Sequence, residues 1–209
     1  MTPIPISLVV EDELSEAVAR KLLESGSKPY AVRVVYNRGG YGYIKKNIQG
    51  FNNAARGTPY LILTDLDARE CPPSMIGRWF GQASLEPNLL FCVAVREVEA
   101  WLLAHRTAFA EFMRVREALV PQDVEQIDNP KGKLIEIVRH SRLRRIREDI
   151  VPPAHSTREQ GPDYNGRLVA FVQDHWDPRQ CAGVSRSLEK AVRRIDSFVP
   201  SWMAPDEEG

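Results

Sequence analysis

The residues that could do chemistry stand out by position as much as by type. The stretch Tyr60 to Glu70 reads Tyr-Leu-Ile-Leu-Thr-Asp-Leu-Asp-Ala-Arg-Glu, an apolar run of strand type that stops at two carboxylates one residue apart. In an extended segment alternate side chains share a face, so Asp65 and Asp67 point one way and Leu66 the other. Two like charges held that close require a counter-charge, and a hard divalent cation with a preference for oxygen supplies one. The plainer reading is a strand entering an Asp-rich turn, because aspartate hydrogen-bonds its own local backbone.

The elements around this stretch decide what else can reach it. Ile4 to Val10 is a near-continuous apolar run, as in a strand buried on both faces, and it stops at Glu11-Asp12-Glu13. Leu14, Ala17, Val18 and Leu22 then recur at helical spacing. Ala31 to Tyr36 reads as a second strand, a glycine turn leads to a helix from Tyr43 to about Ala55, and Pro59 to Thr64 is the third strand. A proline turn at Cys71 precedes a helix through Trp79 and Phe80, Asn88 to Val95 is a fourth strand, and the chain is helical again from Glu97 through Met113. Four strands alternating with helices predict an α/β domain with a parallel four-stranded sheet, right-handed crossovers and flanking helices. In such sheets the ligand site lies outside the carboxyl ends of the strands. Glu11 follows strand one, Asp65 and Asp67 strand three, and Glu97 and Glu99 strand four, so carboxylates from distant stretches converge on one edge. Residues 1–120 form this domain. Residues 121–209 carry proline-punctuated helices around Lys131 to His140, Gly166 to His175 and Val184 to Phe198, and read as a helical extension packed on it.

Composition narrows the class. The chain has 209 residues, 43% hydrophobic and 27% charged, with 28 Lys plus Arg against 28 Asp plus Glu, so any nucleic-acid surface must be local. No apolar run approaches a membrane span, and Met1 to Ser7 lacks the pattern of a signal peptide, so a cytoplasmic protein without membrane contact is expected. Cys71, Cys92 and Cys181 and the four histidines are scattered and form no disulfide framework or zinc motif.

The acids suit one or two Mg²⁺ or Mn²⁺ ions, which keep waters for a substrate phosphate to displace. The pattern Val-Val-Glu11-Asp-Glu-Leu followed by Leu-Thr-Asp65-Leu-Asp67 resembles the TOPRIM domain of topoisomerases, primases and OLD-type nucleases. The longer motifs Gly39-Gly-Tyr-Gly-Tyr-Ile-Lys45-Lys46, Val95-Arg-Glu97-Val-Glu99-Ala-Trp101 and Gly161-Pro-Asp-Tyr-Asn-Gly-Arg are similar to those of a prokaryotic family of unknown function with a TOPRIM-like core and a helical extension. The resemblance implies a TOPRIM/Rossmann-like sheet, with Glu11 as acid-base group or metal ligand and Asp65 and Asp67 holding Mg²⁺. Glu97 and Glu99 resemble a further acidic position of OLD-type nucleases, Glu97 as a ligand and Glu99 as a catalytic group; favourable charge at a helix N-terminus explains them too. The chain departs from the usual TOPRIM pattern in having Asp12 and Ser15 where many members have Gly and Asp.

Basic residues complete the picture. Lys45 and Lys46 could steady a phosphate at a helix N-terminus, and Arg142, Arg144 and Arg145, in a run from Arg139 to Arg147, could track a nucleic-acid backbone. A solvated basic face accounts for the lysines equally well, and basic residues near a helix C-terminus also satisfy its dipole. The expectation is a Mg²⁺-dependent nuclease acting on DNA or RNA, which the resemblance extends to phage defence beside an AAA-type ATPase. The alternatives are a non-catalytic TOPRIM-like partner of such an ATPase and a phospho-accepting receiver domain built on Asp12, Glu13 and Asp65.

Overall fold

The computed structural model describes residues 2–37, 39–66 and 71–203. Four strands, β1 (Ile4–Val9), β2 (Tyr30–Tyr36), β3 (Tyr60–Asp65) and β4 (Leu89–Ala94), pair in parallel in the order β2-β1-β3-β4. This is the α/β architecture the strand–helix alternation predicts. The strand bounds agree with the apolar runs to within a residue or two.

Side-chain alternation divides the core into two layers. Ile6 and Leu8 of β1, Leu61 and Leu63 of β3, and Leu90 and Cys92 of β4 enter one apolar cluster. Val9, Ile62, Leu89 and Phe91 enter the other. The first layer is covered by α1 (Glu13–Glu24), and the second by α2 (Gly40–Ala54) and α3 (Pro72–Phe80). Helix α1 starts at Asp12, whose carboxylate accepts the Ser15 amide at 2.8 Å, an N-cap bond.

Two helix boundaries differ from the sequence reading for identifiable reasons. Helix α2 begins at Gly40 rather than Tyr43, because Gly39 and Gly40, at φ 95° and 61°, turn the chain directly into the helix. The helix after β4 is two helices, α4 (Val98–Ala104) and α5 (Arg106–Met113), parted at His105.

Beyond them come α6 (Pro130–Val138), α7 (Arg144–Ile150), α8 (Tyr164–Asp174), the single turn α9 (Pro178–Cys181) and α10 (Arg186–Ser197). Helix α7 was not expected, since only Ile146 and Ile150 of its seven residues are buried and they give too short an apolar stripe to read. Helices α4, α6, α8 and α10 contribute to the same cluster as α1, so the C-terminal half closes the first layer. Among the described residues no helix is long and apolar enough to cross a membrane.

Helix α10 covers the outer edge of β4. The Arg194 guanidinium donates to the Phe91 carbonyl, and Ser187 Oγ lies 3.4 Å from the Val95 amide. Ser187 Oγ also accepts the buried Trp101 indole N–H at 2.8 Å, joining α10 to the fully buried α4. Ser187→Ala leaves that indole without its acceptor and should cost about 1–3 kcal/mol. Urea unfolding followed by fluorescence measures it; a loss below a few tenths of a kcal/mol would show that water replaces the hydroxyl.

Candidate metal centre

Strand order reverses between β1 and β3: from β1 the chain crosses to β2 on one side, then returns past it to β3 on the other. Open α/β sheets hold their ligands outside the carboxyl ends of the strands at such a switch point. Glu11 and Asp65 sit there. Glu11 Oε1 accepts the Thr64 hydroxyl at 2.6 Å and the Asp65 amide at 2.9 Å, tying the end of β1 to the end of β3. Leu66 fixes the next step, its amide shared between the carbonyls of Ala94 at 3.0 Å and Arg96 at 2.9 Å. Asp65 is therefore held from both sides, facing the layer of α1 and α4.

Strand β4 supplies the other acids. Asp65 Oδ1 accepts the Val98 amide at 3.0 Å, the first turn of α4, and Glu97 Oε2 accepts the Lys131 amide at 2.8 Å, the first turn of α6. The positive ends of two short helices thus meet two carboxylates. Glu99 is buried at 6% exposure, and its Oε1 accepts the Tyr164 hydroxyl at 2.9 Å. Lys131 Nζ stands 5.2 Å from the centre of the Tyr164 ring, a cation–π contact.

These neighbours shift one another's protonation. Asp65 is pushed well above the ordinary aspartate value, chiefly by loss of water and then by the negative charges of Glu99, Glu11, Glu97 and Asp12. Burial, with Glu97 beside it, raises Glu99 to about 7; its own amide, the Tyr164 hydroxyl and Lys131 oppose the rise. Tyr164 is raised in turn, by burial first and then by Glu99. Glu99, Glu11, Glu97 and Asp12 all bear on Asp65, and Glu97 bears on Glu99.

The remaining expected residues fall elsewhere. Asp67 lies outside the described residues. Lys45 and Lys46 lie in the second turn of α2, on the opposite layer from Asp65, and not at a helix N-terminus, because the helix starts at Gly40; Lys45 stacks over Tyr41 at 5.9 Å. Arg142, Arg144 and Arg145 are exposed at α7, where Arg144 pairs with Glu148 at 2.7 Å and Arg145 approaches Asp149 to 4.0 Å. Their charge is partly met within their own helix. Thr64, Lys131 and Tyr164 were not assigned roles from the sequence. The Gly161-Pro-Asp-Tyr motif was the available signal for Tyr164, but nothing local says that its hydroxyl points at Glu99.

No protein-family model, no curated protein and no solved structure matches this chain. Among the described residues no three His, Cys, Asp or Glu side chains stand grouped to hold a metal. Mg²⁺ does not need three: it is commonly held by one or two carboxylates, with waters filling the rest of its octahedron. Glu11 and Asp65 offer hard-oxygen donors of that kind, and among the described residues the hydrogen bonds they accept fall on Oε1 and Oδ1.

The sign of the Glu99 shift fixes a pH dependence. Its folded value, about 7, lies above the ordinary 4.5, so between those values the folded chain binds more protons than the unfolded one. Metal-free stability should fall as pH rises from 4.5 to 7, by on the order of 3 kcal/mol from this group, and level off above. Asp65 acts in the same direction. Melting curves in EDTA across this range should show a shallower fall for Glu99→Gln than for wild type. Equal slopes would mean that Glu99 is ionised throughout.

Proposed function

We propose that the chain is a Mg²⁺- or Mn²⁺-dependent phosphodiesterase acting on nucleic acid. The observation that carries the reading is the carboxylate of Asp65, at the switch point of a parallel sheet and under the negative charge of Glu99, Glu11, Glu97 and Asp12. Structural ion-pair networks place a cation of the protein's own among such acids. Here the compensation seen among the described residues includes the first amides of two helices and Lys131, and a divalent ion would supply the charge that such dipoles lack.

Asp65 and Glu11 would hold the cation, and the motif resemblance assigns Asp67 the same role. A bound Mg²⁺ or Mn²⁺ polarises a phosphoryl oxygen and lowers the pKa of a coordinated water. The chain's own residues prepare the rest. Glu11, anchored by Thr64 and the Asp65 amide, keeps the two strand ends in register. Glu99, at about 7, can both hold and release a proton near neutrality, and Tyr164 orients it. Glu97 anchors α6 against this edge through Lys131 N–H, a positioning role that accounts for it without metal ligation.

The motif resemblance to TOPRIM nucleases supports the same assignment, by analogy. It also underlies the wider proposal of a role in phage defence with an AAA-type ATPase. A second reading, a non-catalytic partner of such an ATPase, draws on the engagement of Asp65 and Glu97 with the starts of α4 and α6. A receiver domain is less favoured: Asp12 is committed to capping α1, and after β4 the chain enters α4 and α5.

Incubation with plasmid, single-stranded DNA and tRNA in Mg²⁺ or Mn²⁺ tests the proposal. Cleavage by wild type should fall by roughly 10²-fold or more in Asp65→Ala and in Glu11→Ala. Equal cleavage by all three proteins would remove these acids from the site; Mn²⁺ binding through the same acids without cleavage would favour the non-catalytic partner.

A further inference from the structure

A groove of about 460 Å³ runs beside the outer edge of β4, between α3 and α10. One wall is apolar, made by Pro72, Pro73 and Ile76 of α3, with Val93 and Val95 on the floor. The other wall is α10, which contributes Arg186, Lys190 and Arg194, all three exposed. Residues four apart on a helix lie on one face and about 6 Å apart along its axis. The three cations therefore form a ladder.

The direction of the ladder is fixed by its contacts. Ser187 meets Val95 and Arg194 meets Phe91, so α10 runs antiparallel to β4. Its Arg186 end lies at the carboxyl edge of the sheet, where Val95 leads into Arg96 and Glu97. The groove thus opens toward the acidic edge. Glu125 also lines it, but its Oε1 is occupied by the Ser185 hydroxyl at 2.8 Å and the Ser187 amide at 2.6 Å, at the start of α10.

Two occupants suit a basic groove beside a sheet edge: an acidic peptide added to β4 as a strand, or a phosphodiester backbone. The edge argues against the first. Strand β4 uses Asn88 and Ala94 carbonyls toward β3, so the backbone of Phe91, Val93 and Val95 faces outward. Of those outward groups, the Phe91 carbonyl is taken by Arg194 and the Val95 amide meets Ser187 Oγ. A peptide strand would have to displace both. A phosphodiester chain needs neither, since it is recognised by cations along its backbone and by apolar surface against its sugars and bases. At about 460 Å³ the groove falls in the ~300–1,000 Å³ range of small-ligand sites, which fits a single strand better than a duplex.

We propose that the α10–β4 groove binds single-stranded nucleic acid, with successive phosphates on Arg194, Lys190 and Arg186 and the strand leading to the acidic edge. The assignment rests on the phosphodiesterase reading for its substrate class. Binding of a short fluorescein-labelled single-stranded oligonucleotide to the full chain in EDTA, followed by anisotropy over a range of salt, tests it apart from catalysis. The Arg186→Ala/Lys190→Ala double variant should bind roughly tenfold more weakly or worse, and the slope of log affinity against log salt should fall by about 1.4, about 0.7 per lost phosphate contact. Lys190→Arg should retain affinity. Unchanged affinity and slope in the double variant would overturn the proposal, as would equal competition by a polyglutamate peptide. A protein that binds through the groove yet cuts nothing loses only the phosphodiesterase. A protein that cuts while the double variant binds normally loses only the groove.

Discussion

Glu11 bonds through one carboxylate oxygen to the Thr64 hydroxyl and the Asp65 amide, and so clamps together two strand ends whose side chains repel. The rest of the carboxyl edge has to live with that arrangement. The Asp65 amide is drawn toward one acid while its carboxylate faces others, and the result is a charge density that neither strand could hold alone. Compensation comes in pieces: the first amides of α4 and α6 meet Asp65 and Glu97, a tyrosine hydroxyl meets Glu99, and Lys131 lies over that tyrosine. Amide dipoles supply only about half a charge per helix end. They soften the repulsion of several acids without cancelling it, and the remainder adds to the loss of water that chiefly raises Asp65 and Glu99.

This explains why the C-terminal half belongs to the site as well as to the core. Helix α6 brings Lys131, α8 brings Tyr164, and both pack into the apolar layer that β1, β3 and α1 begin. The hydrophobic contacts fix these helices, and their polar starts then point at the acids. A substitution that loosened this layer would move the charges as well as cost stability, since the side chains that respond to Glu97 and Glu99 are held by burial.

The sheet and the acidic edge were legible in the sequence because both follow from short periods. Near-continuous apolar runs mark β1 and β3 as strands buried on both faces, which the two clusters bear out, and parallel topology brings Glu11, Asp65, Glu97 and Glu99 to one end. What escaped depends on contacts between stretches far apart in the chain. Nothing near Tyr164 reveals that its hydroxyl meets Glu99, 65 residues earlier. Glycines at the start of α2 lower its helical signal, so Lys45 and Lys46 were placed at a helix N-terminus that lies earlier in the chain. Glu148 and Asp149 stand four residues after Arg144 and Arg145 in the sequence, but that spacing becomes contact only because the segment is the helix α7, whose apolar stripe is too short to read.

Net charge makes the last point. Basic and acidic residues balance at 28 each, which argued against any broad electrostatic field. Balance over the chain is compatible with separation over a few residues, and β4 shows it: the acids cluster past its carboxyl end while Arg186, Lys190 and Arg194 line its outer edge. The two sets of charge are therefore separated along and beside one strand, and neither is visible in the overall sum. Under the proposed function, such a pairing suits a polyanion held by the cations and presented to the acids through a divalent ion, because carboxylates alone would repel it.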